Sequence, residues 1–331
     1  MRAMFQTVYD RLSHQEDLVL VTVIASSGST PRGAGARMLV GKEGRICGTI
    51  GGGAVEGTAI QIAATVLEEK ASVIRDFCLN KNDIHNLGMI CGGAVDVFFH
   101  YLPAGDTAVM DLAQQAERYF AAGRDLWFLT DVSSGTLGLY TKEHGPFGLQ
   151  VPADLPLTHR PIRFGNLFVE QICSSSKVYV FGGGHVAQEL IPVLSHVGFR
   201  CVLVEDRAEF ATRDLFPTAE SIILVDMYHL DDYLTITEED YVCVMTRGHA
   251  YDTVIQAQIL QCRPCYCGVI GSHQKAAGSR KALKENYGLR EDELDQIISP
   301  IGLPIKGETP AEIAISICAQ MILHRADRNA R

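Results

Sequence analysis

The residues best equipped for chemistry sit in glycine-rich turns, each carrying an acid, a thiol or a basic group. Gly182-Gly183-Gly184-His185-Val186-Ala187 has the spacing G-x-G-x-x-A. Gly182 permits a tight turn, Gly184 lets the main chain approach a pyrophosphate, and Ala187 lets the following helix pack close to the preceding strand. That helix would point its free amides and positive end at an anion, with His185 at its start, either touching a ligand or facing solvent. Glu205-Asp206 end the next apolar run, about where an acid accepts a ribose hydroxyl. Two later loops, Thr246-Arg247-Gly248-His249 with Asp252 and Gly271-Ser272-His273 with Lys275, follow further apolar runs. Arg247 and Lys275 suit a phosphate, Ser272 belongs to the same ligand-collecting edge, and His249 with Asp252 suits a proton-transfer or orienting pair. A helix cap is the other reading of His249.

The first half has three such turns. Gly28-Ser29-Thr30-Pro31-Arg32 combines hydroxyls, amides and a guanidinium, and Gly51-Gly52-Gly53 opens a helix with Glu56 in its first turn. Each resembles an anion cradle, and each is also readable as a plain loop. Cys91-Gly92-Gly93 places a thiol in an open turn, where it can ligate a soft metal or carry sulfur if positive charge stabilises its thiolate; a buried structural cysteine is the other reading. Cys262, Cys265 and Cys267 lack the second cysteine pair of a structural zinc site, and the last two read as small core residues.

The elements that must position these residues follow from patterning. Residues 18 to 25 read as a strand, 36 to 50 as a hairpin, 54 to 70 as a helix, 73 to 78 and 94 to 102 as strands, and 107 to 122 as a helix. More strand-like pieces between 126 and 172 lack regular alternation with helices, so residues 1–170 read as an α+β domain. From 171 to 331 the order changes to short β-rich runs at 178–181, 200–205, 221–225, 241–245 and 265–270, which read as a Rossmann-like, doubly wound parallel sheet. Thr309-Pro310-Ala311-Glu312 opens a largely apolar closing helix. The fold class is α/β.

A length of 331 residues favours two domains. Lys and Arg total 29 against 39 Asp and Glu, so a broad basic face for nucleic acid is not expected and anions must be held locally. Ten cysteines are too sparse for a disulfide scaffold. No signal peptide and no apolar run of membrane-spanning length are read, so the expected location is cytoplasmic.

Taken together, GSTPRGAGARMLV (28–40), GTIGGGAVEG (48–57), MICGGAVDVFF (89–99), VYVFGGGHVA (178–187), VEDRAEF (204–210), VMTRGHAYD (244–252), GVIGSHQK (268–275) and SPIGLPIKGETPAEIAISICAQMI (299–322) resemble the xanthine dehydrogenase accessory factor family, XdhC/CoxI. The resemblance implies an N-terminal XdhC/CoxI domain before the Rossmann-like one. It implies a non-catalytic chaperone that binds molybdenum cofactor in its molybdopterin form, supports its sulfuration and inserts it into a molybdenum hydroxylase apoenzyme. A cysteine desulfurase and a second copy of the chain are the further partners implied. On this reading Gly52, Gly53, Glu56, Cys91 and Gly92 line one side of a shared cleft, with Cys91 holding the metal or its sulfur and Gly28, Ser29 and Arg32 as further cofactor-binding residues. Gly182, Gly184 and His185 line the other. The chain departs from the family at His273-Gln274, where two basic residues are common, and at Glu205, where Asp is common. The competing reading is an NAD(P)-dependent oxidoreductase using the Gly182 loop, Glu205 or Asp206, and His249 as proton donor or acceptor. A docking or redox-sensing module is a third.

Overall fold

The computed structural model describes residues 1–30, 32–78, 93–247 and 251–328. Cys91, Gly92 and His249, singled out above, lie outside them. The chain divides into two compact units, Met1–Ser175 and Ser176–Arg331. The division follows Ser175 rather than residue 170 because the last strand of the first unit continues to Cys173, paired with Leu126.

The first unit runs α1 (Arg2–Ser13), β1 (Leu18–Ser27), β2 (Arg37–Gly41), β3 (Gly44–Thr49), α2 (Gly53–Glu69), β4 (Val73–Cys78), β5 (Ala94–Leu102), α3 (Thr107–Ala122), β6 (Leu126–Asp131), β7 (Leu137–Thr141), β8 (Gly145–Phe147), β9 (Ile162–Phe164) and β10 (Leu167–Cys173). It forms two antiparallel sheets, ordered β3-β2-β1-β5-β4 and β8-β7-β6-β10-β9. The unbroken apolar run of β1 is explained by burial on both faces. Val19, Val21 and Val23 face the core under α2, formed with Val55, Ala59, Ala63 and Val66. Leu18 and Leu20 face a second core, shared with α1, α3 and the second sheet through Phe5, Leu12, Leu112 and Phe128. Asp106 caps α3 by accepting from the Val109 amide at 3.1 Å, and Gly123 closes it in the left-handed region. Between the sheets, Arg37 of β2 is ion-paired with Glu170 of β10, both side chains buried, and the guanidinium lies 5.1 Å from the Phe128 ring centre.

The second unit runs β11 (Val178–Phe181), α4 (His185–His196), β12 (Cys201–Glu205), β13 (Ser221–Leu224), β14 (Tyr241–Val244), α5 (Asp252–Cys262), β15 (Tyr266–Val269), α6 (His273–Tyr287), α7 (Glu291–Leu294), β16 (Ile297–Ile298) and α8 (Pro310–Arg328). Its sheet is parallel, ordered β13-β12-β11-β14-β15-β16, the doubly wound arrangement with its switch point between β11 and β14. One face packs on Leu190, Ile191 and Leu194 of α4 and Ile317 and Met321 of α8. The other packs on Ile255 and Ile259 of α5. Glu312 accepts from the Thr309 and Glu308 amides while Thr309 accepts from the Glu312 amide, the capping box read in the sequence. Cys267 is buried in the core and Cys265, one residue before β15, is half-buried. Among the described residues, no helix is long and apolar enough to cross a membrane.

Candidate functional site

Strand directions in the first unit bring two of the predicted turns to one end of a sheet, beside Gly93. β1 ends at Ser27 opposite Ala94, where β5 begins; β2 begins at Arg37 opposite Thr49, where β3 ends. The turns carrying Gly28-Ser29-Arg32 and Gly52-Gly53 therefore share an edge with Gly93, the residue before Ala94. Gly93 is required there. A Cβ on it would lie 2.6 Å from the Ser27 carbonyl oxygen and 2.5 Å from that of Ser29. Gly28, Ser29 and Arg32 are exposed at this edge.

Glu56 does not extend toward a ligand. It is buried beneath its own glycine turn, accepting from the Gly52 amide at 3.2 Å, the Ile50 amide at 3.3 Å, Arg45 at 2.6 Å and the Thr49 hydroxyl. Burial pushes its carboxyl up, but the bonds from Thr49, Gly52, Arg45 and Ile50 outweigh it and hold the pKa below its ordinary value. The turn that read as an anion cradle thus spends two amides on an internal carboxylate. Gly52 itself, at φ 73°, is the N-cap of α2, with no side-chain cap on the helix.

In the second unit, the glycine turn follows β11. Gly182 has φ 101°, and a Cβ there would lie 2.7 Å from the Met245 carbonyl oxygen, which fixes it as glycine for packing reasons. Gly184 differs: its backbone is extended, and a Cβ would meet nothing within 4 Å among the described residues. Its small size serves no neighbour but leaves room for an incoming group. Among the described residues no side chain caps α4, so the amides of its first turn face this opening. His185 is exposed beside them.

The acid expected to take a ribose hydroxyl is otherwise engaged. Glu205 is completely buried. It accepts from the amides of Gly183 at 2.6 Å, Asp206 at 3.0 Å and Arg207 at 3.2 Å, and from Arg207 Nε at 3.1 Å and Nη2 at 3.0 Å. Burial alone would raise its pKa. Hydrogen bonds from Asp206, Arg207 and Gly183 reverse that and hold it at about 2, while the carboxyl of Asp206 is pushed up by its bond to Glu205. Arg207, whose role sequence reading missed, forks onto both oxygens and lies 4.0 Å from the Phe210 ring centre. Its position two residues beyond the acid was the available signal.

A crevice of about 280 Å³ opens at the switch point, lined by Gly182, Asp206, Arg207, Thr246, Arg247 and Tyr251, with buried Glu205 beneath. Arg247 is exposed. Lys275, expected to share a phosphate with it, is instead paired with the buried carboxylate of Asp252 and donates to the Ile270 carbonyl at 3.0 Å. Asp252 also accepts from the Thr246 hydroxyl. Ser272 caps α6, accepting from the Lys275 amide at 3.3 Å.

The model of the XdhC Rossmann domain matches residues 178–321, and that of the XdhC and CoxI family matches residues 12–77. The chain is 25% identical over 339 residues to a protein of Bacillus subtilis (strain 168) described as a probable xanthine dehydrogenase subunit, covering 97% of each. It is 24% identical to the uncharacterized protein YqeB of Escherichia coli (strain K12), of whose length it spans 42%. A crystal structure described as a xanthine dehydrogenase from Bacillus halodurans shares the fold, with a TM-score of 0.78 at 24% identity over 98% of this chain and 96% of that one.

Proposed function

The chain belongs to the XdhC and CoxI family, and from that membership we propose that it is an accessory factor for a xanthine dehydrogenase-type molybdenum hydroxylase. Its cargo is molybdenum cofactor, which it binds, keeps through sulfuration and passes to the apoenzyme; a cysteine desulfurase supplies the sulfur, and the factor works as a homodimer in the cytoplasm. The observation that carries the reading is the switch-point crevice lined by Gly182 and exposed Arg247, together with the uncapped start of α4 three residues beyond Gly182.

Those groups fit the cargo's terminal phosphate. First-turn amides and a guanidinium are the donors that a phosphate dianion takes, and Gly184 leaves space in front of them. The roles assigned here to Gly184, His185 and Arg247 are to bind and orient that phosphate. Gly28, Ser29 and Arg32 offer hydroxyl, amide and guanidinium donors at the edge of the first unit. The thiol of Cys91 is assigned to the metal or its sulfur on its chemistry as a soft ligand.

The test is Gly184→Val, whose side chain projects into open space. Melting should stay within about 0.5 kcal/mol of the parent, while pterin retained through anaerobic purification, measured by mass spectrometry, should fall at least about tenfold. A parent protein that retains no pterin and refuses added molybdopterin would end the reading. So would fully loaded, sulfurated hydroxylase in cells lacking this protein.

A further inference from the structure

We propose that Arg207 occupies the position a ribose would take at the end of β12, so that the switch-point crevice rejects ribose-bearing dinucleotides and accepts phosphates carried without a vicinal diol. In a dinucleotide-binding unit the acid after the second strand must have an oxygen free for the sugar. A carboxylate offers about four acceptor positions. Glu205 already receives five N–H groups at 2.6 to 3.2 Å and has no exposed surface.

Of the five N–H groups two come from the Arg207 side chain and the rest from main-chain amides of the turn and strand end, so Arg207 is what a ligand would have to displace. Asp206, the other acid at this strand end, is engaged as well, its carboxyl bonded to Glu205 and 3.7 Å from Arg207 Nε. Arg207 is held on two sides. Its fork meets both carboxylate oxygens, a bidentate geometry that fixes orientation as well as charge. Its face rests on Phe210, at cation–π distance. A ribose entering here would exchange a charge-assisted fork for neutral hydroxyls, over a carboxylate with no route to water. Such an exchange weakens binding on the order of 10- to 100-fold. Among the described residues nothing comparable guards the phosphate end, where α4 has no side-chain cap and Gly184 faces open space.

The exclusion of ribose stands on this geometry alone; the phosphate preference rests on the reading of the crevice given above. Two sets of titrations separate them. In the first, ADP-ribose and NADH are titrated by calorimetry into the parent protein, Arg207→Gln and Phe210→Ala, each checked for folding by circular dichroism. The parent should show no binding below about millimolar. Arg207→Gln should gain at least about tenfold for ADP-ribose, Phe210→Ala should gain less in the same direction, and adding Glu205→Gln to Arg207→Gln should abolish the gain. Micromolar binding of ADP-ribose or NADH by the parent overturns the proposal, and so does a folded Arg207→Gln protein with no gain. In the second, inorganic pyrophosphate should bind the parent and lose at least about tenfold in Arg247→Ala. Failure there removes the phosphate assignment and leaves the ribose result to be read by itself.

Discussion

Replacing Glu56 by alanine separates a carboxylate that supports a turn from one that meets a ligand. The substitution leaves the amides of Ile50 and Gly52 and the Thr49 hydroxyl without their acceptor. Arg45 is nearly half exposed, so its ion pair adds little. Hydrogen bonds to a charged acceptor contribute about 1.5 kcal/mol each, and some solvent reaches the vacated site, so about 3 kcal/mol is expected at pH 7. For a unit of this size that is a fall in melting temperature of about 6 to 12 °C. The assay is built into the fold: the chain's single tryptophan, Trp127, is buried in the first unit and donates to the Thr158 carbonyl at 3.0 Å. Its fluorescence follows that unit's unfolding apart from the other's. Because the carboxyl's pKa is lowered on folding, its contribution is present above the ordinary value of 4.5 and fades as pH falls through the lowered one. The difference between parent and Glu56→Gln should therefore shrink below about pH 4. An unchanged fluorescence melt for Glu56→Ala, accompanied by lost cargo binding, would refute the supporting role.

Arg37→Met should cost about 3 to 5 kcal/mol by stranding Glu170, whose pKa is already raised because burial outweighs attraction by Arg37; Arg37→Met with Glu170→Leu should recover most of it in urea titrations. His100 is buried, stacks on Phe98 and has its pKa lowered by burial from 6.5 to about 4. The unfolded chain takes up that proton first as pH falls, so stability should drop by about 3 kcal/mol between pH 6.5 and 4. The slope of stability against pH over that window should flatten in His100→Gln; an identical slope in both proteins would contradict the assignment.

Much of the fold was legible because its signals are local. Gly182 at the end of β11, with its left-handed backbone, and Thr309 before Pro310 announce themselves through requirements that few residues meet. The unbroken apolar run of β1 reads as a strand wherever its partners come from. What stayed hidden was long-range. The pairing of Arg37 with Glu170 joins strands from two sheets, and nothing near either residue in sequence points to the other. The same holds for Lys275 and Asp252, where two charges that looked available for ligand and histidine are paired with each other. At Glu205 the residue and its place were readable, but its fully used oxygens depend on a side-chain conformation of Arg207 that spacing alone does not dictate.

The strand order of the second unit bears on how the chain is made. Val178 pairs on one side with Cys201 and on the other with Tyr241, so the central strand keeps a bare edge until residues 241–244 have left the ribosome. Parallel pairing of this kind closes long loops before contacts reward it, and exposed edges invite association with other nascent chains. Fragments ending between β13 and β14 should accordingly aggregate during synthesis, and the glycine turn should reach its native shape only late in translation.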